Sequence, residues 1–346
     1  MSKNVCEFSK KAVNKAGASL LNQGAEIHDH AKTVLDSWRA CHVQPLDKFH
    51  TSLINWVDEI DASALVSQRL KRTPSILSKL TRNPKMMLSR MQDIGGIRVV
   101  VKNMQKVREV EKLYKKGVED FSVAKGGKDY INYPKKSGYR SVHQIFVCPD
   151  GFSIELQVRT QLQHAWATAV ETMGTFLNHS LKSSEGPDKW LDFFALASSA
   201  FAILESTPRI PQFADLSDQE TFEELLKQEK SLDVIKKLSG FRVVARQIKD
   251  DNASGHYHLI TLDLDKRMAN IKSYELKDIE QANIDYSLKE AEAHAGRNIQ
   301  VVLVTSESIK TLKKAYPSYF LDAELFSKQF ENVQKQLDKI LQPARL

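Results

Sequence analysis

The stretch from Ile154 to Arg159 alternates between apolar and polar residues: Ile154, Leu156 and Val158 against Glu155, Gln157 and Arg159. Successive side chains of a strand leave on opposite faces. A period of two therefore predicts a β-strand with one face in a core and the other carrying a carboxylate, an amide and a guanidinium. Such a row suits a cleft lining better than core packing. Pro149-Asp150-Gly151 is a turn signal, and Ser141 to Val147 is a second strand-like run, so the two runs are predicted to pair as a hairpin. The chain must then build a sheet with one polar, accessible face.

The remaining pattern is α+β. Residues 5–65 read as helical, with Leu53, Ile54, Val57, Ile60 and Leu65 at three- and four-residue spacing. Residues 66–90 are predicted to continue as a basic helix, interrupted near Thr73-Pro74 and Asn83-Pro84. Gly95 to Val101 is a β-branched strand, Met104 to Gly117 an amphipathic helix, and Phe121 to Ala124 a short strand before the Gly126-Gly127 loop. Helices are expected from about Thr160 to Leu181 and from Lys189 to Glu205. After a proline-containing linker come a helix (219–238), strands (241–248, 256–263, 269–276), a helix (279–295), a strand (299–304) and a terminal helix. The expected division is a helical region (1–65), a core (66–206), a linker (207–218) and a smaller C-terminal α+β domain (219–346). That last unit shows a second core and no visible chemistry, so a regulatory, oligomerising or ligand-sensing role is the working hypothesis for it.

The net charge of +7 conceals a concentration: residues 66–140 hold 19 basic and 6 acidic residues. Such a surplus marks contact with phosphate, on nucleic acid or on nucleotides. No run of about 18 apolar residues exists, so no membrane span is expected. Met1 to Glu7 lacks the apolar stretch of a signal peptide, and a cytoplasmic protein is the expectation. Cys6, Cys41 and Cys148 stand far apart, so neither a disulfide framework nor a Cys-based zinc site is expected. His28-Asp29-His30 is not read as a metal site, because adjacent side chains on a helix diverge.

Three clusters carry the chemistry. Arg69, Lys71 and Arg72 precede Ser75, Lys79 and Arg82, and the last three can share a helix face. This suits a polyphosphate, although a solvated basic helix would look similar. In Asp93-Ile-Gly-Gly-Ile-Arg98, a carboxylate stands beside two glycines where backbone can approach a ligand. Asp93 can hold Mg²⁺ there or simply cap a turn, and Arg98 can stack on a base or pair with phosphate. The third cluster runs from Lys128-Asp129-Tyr130 through Lys135, Tyr139 and His143 to Glu155, Gln157 and Arg159. Glu155 can join Asp93 on a metal, and Tyr139 can offer a ring to a base.

Residues 66–182 resemble the synthetase domain of the RelA/SpoT family, the (p)ppGpp alarmone synthetases. The matching signatures are Arg69-x-Lys71 with Ser75-x-x-x-Lys79, Asp93-Ile-Gly-Gly-Ile-Arg98, Asp129-Tyr-Ile-x-x-Pro-Lys135-x-x-Gly-Tyr139-Arg-Ser-x-His143, and Glu155-x-Gln157-x-Arg159-Thr160. The resemblance implies a nucleotidyltransferase-like mixed β-sheet flanked by helices. It implies a pyrophosphokinase that moves the β,γ-diphosphate of ATP to the ribose 3′-hydroxyl of GDP or GTP, makes (p)ppGpp and releases AMP. Arg69 and Arg98 would sandwich adenine, while Lys71, Ser75, Lys79 and Arg82 would hold the phosphates. Asp93 and Glu155 would bind Mg²⁺, with Glu155 also taking the proton of the attacking hydroxyl. Tyr139 would stack on the acceptor base, and Lys135, His143 and Gln157 would position the acceptor.

Some family parts are absent. About 65 residues before the core cannot hold the histidine-aspartate hydrolase domain of long bifunctional members, so the chain resembles the small synthetases with an added domain. Ser137 replaces the usual asparagine, and Asn178-His179-Ser180-Leu181-Lys182 lacks the tyrosine of the family's closing segment. Two other functions therefore stay open at this point: a toxin-type member acting on tRNA 3′ ends or adenosine nucleotides, and a non-catalytic nucleotide- or RNA-binding regulator. Self-association into a homo-oligomer is compatible with the resemblance. His164 and Trp166 are read as core residues.

Overall fold

The structure, a computed structural model, describes residues 6–21, 25–115, 120–177, 181, 184–235, 238, 257–263, 266, 268–297, 299–305 and 324–341. Three helices open it: α1 (Lys10–Ser19), α2 (Ala25–Ala40) and α3 (Val43–Ile60). Then follow β1 (Leu65–Leu70), α4 (Thr73–Arg82), β2 (Gly95–Val101), α5 (Met104–Lys115), the short β3 (Ser122–Val123) and β4 (Lys128–Asp129), β5 (Val142–Val147) and β6 (Ser153–Thr160). Two long helices, α6 (Gln161–Leu177) and α7 (Asp188–Leu204), precede α8 (Asp218–Leu232). The chain goes on with β7 (Tyr257–Asp263), β8 (Met268–Tyr274), α9 (Ile279–His294), β9 (Ile299–Thr305) and α10 (Glu324–Leu341).

One nine-stranded mixed sheet runs in the order β3-β5-β6-β2-β1-β9-β7-β8, with β4 also paired to β5. The β2–β6 pair is parallel and sets Arg98 beside Gln157 and Gly96 beside Glu155. Antiparallel β1–β2 sets Ser67 beside Arg98 and Arg69 beside Gly96. The apolar set of β6 (Ile154, Leu156, Val158) joins Ile97 and Val99 of β2 in a core shared with α1, α2, α3 and α5. Each fully buried side chain of that set contributes about 1.5–3 kcal/mol on leaving water, which fixes the face that turns inward. A second core gathers α6, α7, α8 and α10 around Trp166, Phe194 and Phe326, and Tyr139 packs into it. The smaller α+β unit of β7, β8, β9 and α9 has its own core, including Tyr257, Tyr286 and Val301. Its strands extend the same sheet where β9 pairs with β1, Gln68 against Thr305 and Arg69 against Val304.

Two sequence expectations are corrected. Residues 65–70, read as the end of the helical region (Leu65) and the start of the basic helix (66–70), form β1, because a ladder to β2 and pairing of Gln68 and Arg69 with β9 satisfy its backbone. A disulfide joins Cys6 to Cys41 where none was expected, with their Cα atoms 5.9 Å apart. That proximity arises from the folding back of the N-terminal helices and leaves no mark in the local sequence. The strand expected over 241–248 lies outside the described residues, as do four of the five residues from 178 to 182. The segment expected as a linker is anchored: Arg209 bonds Asp218 and the Leu216 carbonyl, and the Ile210 amide donates to Ser199 Oγ at 3.3 Å. Among the described residues, no helix is long and apolar enough to cross a membrane.

Candidate active site

Cross-strand register builds the site in two rows on the polar face. One row reads Ser67, Arg98, Gln157, His143 across β1, β2, β6 and β5. The next reads Arg69, Gly96, Glu155, Ile145. Gly96 contributes no side chain between Arg69 and Glu155, and a Cβ built there would meet only the backbone oxygens of Glu155 and Arg69, at 3.8 and 4.0 Å. Over this floor lies a cavity of about 60 Å³ lined by Arg69, Lys71, Asp93, Arg98, Glu155 and Gln157, among others. A larger groove of about 870 Å³ beside α5, α6 and α10 contains none of the sequence-predicted site residues.

Asp93 stands just before β2 and is bracketed by two ammonium groups. Lys71 Nζ lies 3.0 Å from Oδ2, and Lys79 Nζ, from α4, lies 2.9 Å from Oδ1. Burial works against the charged carboxylate, but the two lysines outweigh it and hold Asp93 below its ordinary value. Burial also pulls the Lys71 amine down, with Asp93 opposing. A polyphosphate entering here would meet the same two lysines together with Arg69 and Arg98.

Glu155 anchors the other half. His143 Nδ1 lies 2.8 Å from its Oε1, and Gln157 Nε2 donates to its Oε2 at 2.6 Å. The Tyr139 hydroxyl lies 2.8 Å from His143 Nε2. If Nδ1–H donates to the carboxylate, Nε2 accepts from the tyrosine, so all three groups are satisfied in one neutral tautomer. Burial would raise the Glu155 carboxyl and nearby Asp93 adds to that, yet the His143 and Gln157 contacts keep it below its ordinary value. An ionised carboxylate in this setting can accept a proton or bind a divalent cation.

The remaining expected site residues lie around this centre. Ser75 is half-buried on α4 and outside the cavity lining, and Arg82 is exposed with its Nε 3.3 Å from the Ser78 carbonyl. Burial lowers the Lys135 amine; Glu155 opposes this, while Lys79 and Arg82 add to it, so these cations share one region. Tyr139 differs from the open ring that the sequence suggests. It is 5% exposed, set edge-on to Tyr130 and His143, with Lys135 Nζ 5.1 Å from its ring centre.

Two further neighbours carry no role in the sequence pattern, and a third departs from it. Buried Ser67 sits in the Arg98 row, hidden by the helix assignment of its segment, although Ser67 and Arg69 show the period of two. Tyr130, a plain motif residue in the sequence, lies under Lys135 Nζ, 4.4 Å from its ring centre. Arg159, expected on the cleft face beside Glu155 and Gln157, is instead 2% exposed, lies outside the cavity lining and bonds His164 Nδ1; burial and then Arg98 push its guanidinium down to about 9.

Residues 68–176 match the family model described as the region found in RelA / SpoT proteins. The chain is 32% identical over 127 residues to GTP pyrophosphokinase YjbM of Bacillus subtilis, covering 34% of this chain and 59% of that protein. It is 29% identical over 174 residues to GTP pyrophosphokinase YwaC of the same organism, covering 44% of this chain and 82% of that one. It spans less than half (45%) of the mycobacterial relatives it matches, at 29% identity. Among solved structures it is similar to small alarmone synthetase 2 from Bacillus subtilis, at 25% identity and TM-score 0.42, covering 49% of this chain and 92% of that one.

Proposed function

We propose, for a chain that carries a RelA/SpoT region over residues 68–176, that the cleft transfers the β,γ-diphosphate of ATP to the ribose 3′-hydroxyl of GDP or GTP. The supporting observation is the single cavity onto which Arg69, Lys71, Asp93, Arg98, Glu155 and Gln157 open together. The two Bacillus subtilis relatives named GTP pyrophosphokinase point the same way.

In this reading Arg69 and Arg98 flank the adenine, and Lys71, Ser75, Lys79 and Arg82 hold the phosphates. The acceptor's 3′-oxygen forms a bond to the β-phosphorus as the bond from that phosphorus to the α,β-bridging oxygen breaks. AMP leaves with that oxygen, and the hydroxyl proton passes to the Glu155 carboxylate. Gln157 and His143 orient Glu155, while Lys135 and Tyr139 belong to the acceptor side. Positioning and charge neutralisation supply most of the rate in such transfers, and no side-chain nucleophile is needed.

Asp93 and Glu155 have the donor chemistry for Mg²⁺, which takes one or two carboxylates and completes its shell with substrate phosphates and water. A pair of carboxylates on one cavity fits that demand. When bound, the ion would neutralise charge on the phosphates being transferred.

The test is to incubate the protein with Mg²⁺, ATP labelled in its γ-phosphate, and GDP, GTP, ATP or tRNA in turn. Label on GDP or GTP supports the reading, and label on tRNA or in a new adenosine nucleotide bearing a 3′-diphosphate reassigns the acceptor. Transfer to none of the four, or turnover that survives in Glu155→Gln or without Mg²⁺, overturns it.

A further inference from the structure

We propose that Arg39 is a positioning residue for the phosphate-binding end of the cleft, and that α9 holds it in place; this rests on reading that cleft as an ATP site. Arg39, on α2, lies outside the matched region and is 5% exposed. Its Nε donates to the Lys71 carbonyl at 3.1 Å, and its Nη1 donates to Thr73 Oγ1 at 3.3 Å. Lys71 and Thr73 bracket the turn from β1 into α4. That turn aims the Lys71 amine at Asp93 and starts the helix that bears Ser75 and Lys79. Within the turn the Lys71 amide donates to the Ile94 carbonyl at 2.7 Å, while Arg72 occupies the N-cap of α4 without a side-chain cap and Pro74 follows at the helix start, so the bonds from Arg39 add to that hold on both sides of the N-cap.

The other side of Arg39 belongs to the C-terminal unit. The Tyr286 ring, on α9, lies 4.6 Å from the guanidinium carbon. The Tyr286 hydroxyl donates to Glu290, one turn further along α9. Asp36 accepts from Arg39 Nη1 at 3.2 Å and from Ser287 Oγ, again on α9, at 2.8 Å. Lys32 Nζ donates to the Ser287 carbonyl at 3.4 Å. Tyr286 and Ser287 thus meet Arg39 and its partner Asp36 directly, with Glu290 behind the Tyr286 hydroxyl, and Arg39 meets the phosphate turn directly. A buried ion pair alone would be weak evidence for anything but packing. Here two of the acceptors belong to the turn that presents Lys71, which makes the contact specific to one end of the cleft.

The test uses the full chain and calorimetric binding of a non-hydrolysable Mg·ATP analogue and of GDP, with folding checked by circular dichroism. Arg39→Met is expected to weaken the ATP analogue about tenfold or more while changing GDP affinity less than about twofold. Arg39→Lys should recover part of the loss, because an ammonium lacks the fork that spans both acceptors. Tyr286→Leu should give a smaller loss of the same selectivity, and the double variant should be no worse than Arg39→Met. Wild-type ATP-analogue affinity in a folded Arg39→Met or Tyr286→Leu protein overturns the proposal. So does an equal loss for both ligands, which a merely structural role would give. Should Arg39→Met fail to fold, Arg39→Lys and Tyr286→Leu decide by the same two affinities. A wild-type protein that binds the analogue but transfers no diphosphate counts against the proposed reaction and leaves the Arg39 result intact.

Discussion

His143 Nδ1 lies 2.8 Å from Oε1 of Glu155, although the two residues are not directly opposed in the sheet. Register sets His143 against Gln157 and Ile145 against Glu155, so the bond runs diagonally between neighbouring strands. Gln157 takes the other oxygen of the same carboxylate at 2.6 Å. The carboxylate is therefore held from two strand positions at once, and the Tyr139 hydroxyl completes the chain through His143 Nε2.

Tyr139→Phe separates two ways in which this tyrosine can serve the acceptor. The variant keeps the ring and removes the hydroxyl that bonds His143. We expect kcat to fall about tenfold with the acceptor KM within about twofold of wild type, because the altered group orients the proton acceptor. Steady-state kinetics with GDP or GTP checks it. A raised KM with normal kcat would show instead that the tyrosine acts on acceptor binding.

Gly96→Val tests the floor of the cleft. The position has space above it, with only two backbone oxygens at 3.8 and 4.0 Å from an added Cβ, so the variant should fold with a Tm close to wild type. Its branched side chain would occupy the gap between Arg69 and Glu155. We expect ATP-analogue affinity to drop about tenfold or more, by the steric cost of overpacking a site. Unchanged affinity would place the nucleotide away from the Gly96 row.

How much of this was legible beforehand depends on distance along the chain. The alternation from Ile154 to Arg159 is local, and β6 with its polar Glu155 and Gln157 face follows from it directly. The cations from Arg69 to Arg82 mislead because two periods meet in them. Ser67 and Arg69 follow a strand, whereas Ser75 and Lys79 follow α4, and the change falls between Lys71 and Thr73. Tyr139 sits among polar residues and reads as exposed, yet its covering partners Trp166 and Phe194 arrive from α6 and α7. The contacts of Arg39 with Tyr286 and of Cys6 with Cys41 are purely tertiary and leave no sequence period to detect.

Gly138→Ala should be costly where Gly96→Val is not. Gly138 has φ +92°, in the left-handed region, and an added Cβ would lie 2.8 Å from both Ser198 Cβ and Trp166 Cζ2. Backbone strain and overpacking act together at the point where the Tyr139 segment docks on α6 and α7. The expected loss is about 3 kcal/mol, read from guanidinium denaturation. A loss below about 1 kcal/mol, within the range of ordinary substitutions, would mean that this docking is looser than the contacts imply.

His42 gives the fold a definable acid limit. Its ring is 1% exposed, packs edge-on against Trp38 and Phe152 at 5.2 and 4.8 Å, and faces the Trp38 carbonyl from Nδ1 at 2.8 Å. Burial pushes its pKa from 6.5 down to about 4, and the Trp38 carbonyl opposes only part of that. The folded ring thus stays neutral while the unfolded chain takes up a proton at higher pH. The stabilisation is complete above about pH 6.5, falls as pH drops through the window to about 4, and is fully lost below it. For this group alone the loss amounts to about 2 kcal/mol by pH 5 and about 3 kcal/mol in all. Urea unfolding at pH 7 and pH 5 should show that decrement in the wild type. His42→Gln, whose side chain does not titrate, should be less stable at pH 7 and should lack the decrement. An equal drop in both proteins would assign the acid sensitivity to other groups.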